Sequence, residues 1–258
     1  MSVTKAVILA AGNGSRISSI SAGLPKPLVR LHGKPLLHHV MSNAHGAGIS
    51  DFVIILGYQA DTIRAWYERN PMPGVNVEWV LNPEYHKNNG ISLLKAKDVV
   101  HDRFLLLMSD HIFDPATAER LVREPIRRDE VILAVDRNIK DVFDIDDATK
   151  VCCEGKYIVD IGKTLPEYDA LDTGMFLCNP IVFQWLEAAM RDGNCSLSDG
   201  LRLMARGHTF RAFDIGDASW QDVDTPEALD WAHQAFAGPQ SMLPESLLMA
   251  EKETHAGV

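Results

Sequence analysis

The sequence predicts an α/β fold with a mostly parallel central sheet, flanking helices and a small antiparallel lid. Three observations lead there. Continuous apolar runs of strand length, Lys5 to Ala11, Phe52 to Gly57 and Arg103 to Met108, have the pattern of strands buried on both faces of a parallel sheet. Segments with apolar residues at helical spacing lie between such runs, as right-handed strand–helix–strand crossovers require. From Glu130 onwards the strands shorten and a hairpin appears, which supplies the antiparallel part.

The first run delivers Leu9-Ala10-Ala11-Gly12-Asn13-Gly14-Ser15-Arg16, followed by Pro25-Lys26-Pro27-Leu28. Two glycines and a serine allow a loop whose backbone N–H groups turn towards an anion. Arg16 adds a planar fork of donors suited to phosphate oxygens, and Lys26 a mobile point charge. A dinucleotide fingerprint would need a third glycine at position 17, where Ile17 stands, and no Gly-Lys-Ser/Thr run of a P-loop occurs. A buried strand feeding a glycine-rich, cationic loop is a phosphate site at the carboxyl end of an open α/β sheet.

The next elements follow in order. Val29 to Pro35 reads as a short strand and turn. Pro35 opens a helix carrying Leu36, Leu37, Val40, Met41, Ala44 and Ala47, which Gly48 ends. His38 and His39 on this helix read as packed or solvated. Phe52 to Gly57 is the second strand and Val75 to Leu81 the third, with a helix through Ile63, Trp66 and Tyr67 between them. After the third strand, Asn88, Asn89 and Ser92 are open to two readings. They form a helix entry with Asn89 as cap, or they read the polar edge of a nucleobase.

Arg103 to Met108 is a fourth strand and ends in Ser109-Asp110-His111. A carboxylate at the end of a central apolar strand is costly unless paired or metal-bound, so Asp110 reads as a Mg²⁺ ligand; Asp114, ahead of Pro115, is the better helix cap. Val131 to Val135 is a strand, Asp141 to Asp147 an acidic loop read as solvated surface, and Lys150 to Lys163 a hairpin turning at Gly155. Ala170 to Cys178 carries Asp172-Thr173-Gly174. Lys163 either meets a phosphate or is solvated, and with Asp172 and Thr173 it forms the candidate acceptor site. Helices over Pro180 to Arg191 and Ser196 to Arg206 and a strand over Thr209 to Ile215 lead to Trp220-Gln221-Asp222-Val223-Asp224-Thr225-Pro226. Thr225 and Pro226 are a cap and first-turn pair, which leaves Asp222 and Asp224 on one side of an extended segment. Either can join Asp110 in a carboxylate cage for Mg²⁺.

A chain of 258 residues can bury a full-size core, and we place one domain over residues 1–237 with lid elements at about 138–178. Residues 238–258 read as a tail, either a frayed end or the start of a linker. The net charge of −10 argues against a general nucleic-acid binder, so phosphate ligands must be met by locally placed cations. No leader pattern and no apolar run of about 18 residues is present, which points to a cytoplasmic protein without a membrane span. The four cysteines show no metal-binding spacing and read as reduced thiols, and no structural zinc is expected.

The loop Leu9 to Arg16 with Pro25 to Leu28 resembles the signature of the nucleotidyltransferases that activate sugar or polyol phosphates. Further segments resemble the inositol-1-phosphate cytidylyltransferase branch: Asn89 to Lys97, Asp102-Arg103-Phe104 with Asp110-His111, Ala148-Thr149-Lys150, Ile161-Gly162-Lys163, Tyr168 to Gly174 and Trp220 to Thr225. The resemblance spans residues 3 to 236. It implies a Rossmann-like nucleotidyltransferase fold and an enzyme joining CTP to inositol 1-phosphate, giving CDP-inositol and pyrophosphate. It also implies Arg16 and Lys26 on the phosphates, Asp110 and Asp224 (with Asp222 as a further candidate) on Mg²⁺, and Leu9, Ala10, Ala11, Gly12, Asn13, Gly14, Gly57, Asn88, Asn89 and Ser92 around the nucleotide. Ser109 stands where family members often carry glycine, and many members are fused to a membrane-embedded synthase that these residues do not contain.

The alternatives keep the chemistry and change the acceptor to a phosphonate such as 2-aminoethylphosphonate, phosphocholine or another sugar phosphate. For choline, Tyr157 and Tyr168 offer no aromatic cluster. A non-catalytic nucleotide-binding regulatory module is the reading of another class, against which the set Arg16, Lys26, Asp110 and Asp224 argues. A homodimer, or a fused or partner domain after the tail, completes the expectations.

Overall fold

A computed structural model describes residues 3–17, 21, 23–139, 142 and 144–236; the expected tail at 238–258 lies outside the described residues. The elements in chain order begin with β1 (Lys5–Ala10), β2 (Arg30–Leu31), β3 (Lys34–Pro35), α1 (Leu36–Gly46), β4 (Asp51–Leu56), α2 (Ala60–Arg69) and β5 (Asn76–Leu81). They continue with α3 (Asn89–Leu94), β6 (Phe104–Met108), β7 (His111–Phe113), α4 (Pro115–Val122), β8 (Val131–Asp136), β9 (Lys150–Glu154) and β10 (Tyr157–Gly162). The last are β11 (Ala170–Cys178), α5 (Ile181–Ala189), α6 (Leu197–Ala205), β12 (Phe210–Asp214), β13 (Trp220–Asp222) and α7 (Pro226–Ala235).

Side-chain alternation along β1 organises the interior. Ala6, Ile8 and Ala10 point into a core covered by α1, α2, α4 and α7. Val7 and Leu9 point to the opposite face, covered by α3, α5 and α6. Because both faces are covered, the strand has no polar alternation and reads as one apolar run.

One sheet of nine strands, in the order β5-β4-β1-β6-β11-β8-β12-β10-β9, spans the molecule. β5, β4, β1 and β6 are parallel, with β1 in register with β4 from Lys5↔Asp51 to Ala10↔Leu56. β11 then runs antiparallel between β6 and β8, and β8 and β12 are again parallel. The sheet is therefore mixed. The antiparallel strands expected as a lid are part of this same sheet: β9 and β10 form the hairpin at its edge, and β11 occupies its centre.

Local chemistry accounts for the helix starts. Asp114 accepts from the Ala116 N–H and Thr225 from the Ala228 N–H, each ahead of a first-turn proline. Ser196 and Asp199 form a reciprocal capping box on α6. Asn89 differs from expectation. It is the first residue of α3 rather than its cap, and its Oδ1 accepts from the Leu197 N–H at 2.8 Å, tying α3 to α6. The four cysteines are free thiols, and among the described residues no helix is long and apolar enough to cross a membrane.

Gly57 closes β4 beneath the first loop. A Cβ there would lie 2.4 Å from Tyr85 Cβ and 2.7 Å from the Ala11 carbonyl oxygen, and the adjacent Tyr58 N–H donates to that same oxygen at 2.9 Å. Gly57→Ala is expected to destabilise the protein by about 1–3 kcal/mol, since neither the Ala11 carbonyl nor the root of the Tyr85 side chain yields cheaply. Scanning calorimetry should record a fall of several degrees in Tm; an unchanged Tm would mean that the loop over Gly57 is not packed this tightly.

Candidate active site

The carboxyl ends of β1 and β6 and the ladder of β7 with β13 open onto a cleft of about 500 Å³. Leu9, Ala10, Ala11, Gly12, Asn13, Gly14 and Arg16 form one wall, and Asp110, Asp222 and Asp224 face them. β13 pairs with β7 at Asp222↔His111, and the Val223 N–H donates to the Asp110 carbonyl at 3.0 Å. This ladder brings acids more than a hundred residues apart in sequence to one point.

Lys26 lies at that point, with 7% of its side chain exposed. Its ammonium pairs with Asp110 and Asp224 and stands 3.6 Å from Asp222. Gly14 lets the loop approach it. With φ of +59°, a Cβ at Gly14 would sit 2.6 Å from Lys26 Cβ, so the loop rests on the lysine's stem. Arg16 pairs with Asp224 and with Asp147, and Lys163 reaches Asp147 at 2.7 Å. Asp147 was expected on the solvated surface; instead its carboxylate faces the cleft, and the salt bridges to Lys163 and Arg16 outweigh burial and hold its pKa below the ordinary value. No local signal marks it, because its partners come from distant segments.

His111 Nδ1 is 2.9 Å from the Thr173 carbonyl oxygen, to which it donates, leaving Nε2 facing Asp222 at 3.5 Å and Asp110 at 3.9 Å. Burial alone would lower its pKa, but Asp222 and Asp110 outweigh this and push it up to about 9. Burial works against the Asp222 carboxylate too, yet His111, Lys26 and Arg16 hold it well below the usual range. Asp172 is raised to about 6 by burial, against the Gly174 N–H that its Oδ1 accepts at 2.7 Å.

Of the remaining candidates, Asn89, Ser92, Lys163 and Asp172 line the same cleft. Gly57, Asn88 and Thr173 do not. Gly57 supports the loop from below, the Asn88 N–H donates to Asn194 Oδ1 at 3.0 Å, and Thr173 Oγ1 donates to the Ala134 carbonyl at 2.8 Å inside the sheet. Tyr85 and Lys87, which the sequence did not mark, also line the cleft, as do Trp220 and Gln221 from the segment that resembles the family.

The acidic side can hold a divalent cation. Oxygens of Asp147, Asp222 and Asp224 lie within 4.8 Å of one another, as do ligand atoms of Asp110, His111 and Asp222, and Asp222, common to both groups, has its Oδ1 buried without a hydrogen-bond partner. Hard carboxylate oxygens with one unsatisfied buried acceptor fit Mg²⁺, which takes one or two carboxylates and completes its shell from water and phosphate.

Residues 6–191 match the MobA-like NTP transferase domain. The chain belongs to that family. This NTP transferase chain is 34% identical over 247 residues to the bifunctional IPC transferase and DIPP synthase of Rubrobacter xylanophilus, covering 92% of the chain and 54% of that protein. It is 27% identical over 264 residues to the CMP-5'-(3-aminopropyl)phosphonate synthase of Streptomyces rubellomurinus, covering 94% of the chain and 41% of that protein. The chain thus spans about half the length of the curated relatives it matches. Among solved structures, the inositol-1-phosphate CTP transferase from T. maritima superposes with a TM-score of 0.78 at 26% identity, over 88% of this chain and 92% of that one.

Removing the buried ammonium leaves its carboxylates facing one another. Lys26→Met is expected to destabilise the unliganded NTP transferase by about 1–3 kcal/mol, below the figure for a fully buried pair because the cleft admits water. Added Mg²⁺ should raise the Tm of the variant more than that of the parent, by binding the freed carboxylates. No Mg²⁺-dependent shift in the variant would show that these carboxylates do not form a cation site.

Proposed function

We propose that the chain transfers CMP from CTP to inositol 1-phosphate, giving CDP-inositol and pyrophosphate. The observation that carries nucleotidyl transfer is the convergence of Asp110, Asp222 and Asp224 on Lys26, opposite the loop of Leu9 to Arg16. The choice of acceptor is supported by the likeness to the IPC transferase relative and to the inositol-1-phosphate CTP transferase structure.

In this reading the loop amides of Leu9 to Gly14, with Arg16, receive the triphosphate, and Asn89 and Ser92 face the base. Lys163 meets the acceptor phosphate. Asp172, with one oxygen held by Gly174 N–H and the other available to the cleft, meets acceptor hydroxyls. An acceptor phosphate oxygen attacks the α-phosphorus in line. One P–O bond forms as the bond to the β-phosphate breaks, and pyrophosphate leaves with the electron pair. The nucleophile is already anionic, so neither a covalent intermediate nor a general base is needed. The work is orientation and charge stabilisation. Asp110 and Asp224, with Asp222, would hold Mg²⁺, which when bound neutralises charge growing on the phosphates. Lys26 and Arg16 supply fixed positive charge to the same oxygens.

A second reading, a phosphonate acceptor, is favoured by the likeness to the phosphonate synthase. Pyrophosphate release with Mg²⁺ and CTP, measured against inositol 1-phosphate, 2-aminoethylphosphonate and phosphocholine, separates the two. Release with inositol 1-phosphate alone is expected, and release with the phosphonate alone would transfer the assignment to it. Asp110→Asn should lower the rate on the order of 10²–10³-fold. A near-normal rate in that variant would remove Asp110 from the reaction.

A further inference from the structure

The sequence contains two Asn-Gly steps, Asn13-Gly14 and Asn89-Gly90, and the fold treats them in opposite ways. Asparagine before glycine is a chemically labile pair. The following backbone nitrogen attacks the side-chain amide carbon, and glycine has no Cβ to obstruct the approach. Asn13 is exposed and Gly14 half-buried, in the loop between β1 and the turn at Ser15–Ile17. Asn13 Oδ1 accepts from the Ser15 N–H at a long 3.4 Å, which folds the amide back over the Asn13–Gly14 peptide. The Gly14 N–H meets no acceptor among the described residues, so no hydrogen bond of its own holds the attacking nitrogen.

Asn89-Gly90 has none of this freedom. Asn89 is the first residue of α3, and a helical Cα–Cβ bond tilts towards the N-terminus, away from the next peptide nitrogen. Its Oδ1 is fixed by the Leu197 N–H at 2.8 Å. Gly90 is buried, and a Cβ there would lie 2.6 Å from the Cys195 carbonyl oxygen. Ring closure at this step requires α3 to part from α6.

We infer that Asn13 is a site of spontaneous deamidation, which places a carboxylate in the wall of the cleft. The Gly14 nitrogen forms a bond to Asn13 Cγ as the Cγ–Nδ2 bond breaks. Nδ2 leaves as ammonia, with the proton that the Gly14 nitrogen gives up. Water then opens the cyclic imide at either carbonyl, giving aspartate or isoaspartate at position 13. No oxidant or reductant takes part. Either product adds negative charge to the wall facing Asp110, Asp222 and Asp224. Isoaspartate also inserts an extra backbone atom beside the contact of Gly14 with the Lys26 stem. A polyphosphate then meets repulsion where the loop had offered N–H groups, a consequence that rests on the triphosphate reading given above.

Peptide mapping of the chain held at physiological temperature in mildly alkaline buffer tests the site. In the folded chain, conversion at position 13 is expected to run at least about tenfold faster than at 89, where it must wait for α3 to open. In denaturing urea the two steps should convert at similar rates, because only the fold separates them. The inference is overturned if Asn13 in the folded chain converts no faster than Asn89. It is equally overturned if Asn13 stays an amide until urea is added. Asn13→Asp carries one of the two products from the start. In calorimetric titration with Mg²⁺ it should bind CTP roughly tenfold more weakly, the size of one charge contact in a wet cleft. Undiminished affinity would overturn the triphosphate reading of the loop, whereas the peptide map alone decides the modification.

Discussion

An ammonium group can be buried at the end of a parallel sheet only if negative charge surrounds it, and Lys26 is so placed. Its carboxylate partners are separately costly at the same depth. Each makes the other tolerable. Satisfying them requires the loop after β1, the end of β6 and the segment after β13 to arrive together. The β7–β13 ladder, the absence of a side chain at Gly14 and the seat of the loop over Gly57 all serve this meeting point. The rest of the cleft is arranged around it.

The sheet supplies the rigidity that such a meeting needs. β1 is held on one side by β4 and on the other by β6, so the signature loop leaves a strand with partners along its length. β11 closes the far side of β6, and its register against β8 shifts between Asp172 and Phe176. That irregularity frees the Gly174 N–H to bond Asp172 instead of continuing the ladder, and turns a strand residue into a cleft residue. Sheet and site are therefore not separate layers of the design.

Much of this was legible in the sequence because it depends on residue type at short range. Apolar runs of strand length located β1, β4 and β6, prolines after Asp114 and Thr225 located α4 and α7, and Asp110 stood out as a charge where an apolar strand ends. Strand order was not legible. The run at Ala170 to Cys178 has the same periodicity whether it edges a lid or fills the centre of the sheet, and only long-range pairing decides which. Asp147 was missed for a similar reason. Within Asp141 to Asp147 it is one acid among several, and its distinction lies in Arg16, 131 residues away. Asn89 shows the same limit, since a residue suited to capping its own helix caps the space of another.

The pairing of Arg16 and Lys163 with Asp147 gives the empty cleft its own internal counter-ions. In the proposed reaction an incoming phosphate would not find these cations bare; it would replace one set of oxygens with another. Each such contact would be an exchange of partners, so its net gain would be smaller than its strength in isolation. On the proposed reading the same exchange would run in reverse when pyrophosphate departs, since a carboxylate is at hand to take its place. A polyanionic product would then leave a strongly charged site without stranding the cations that held it.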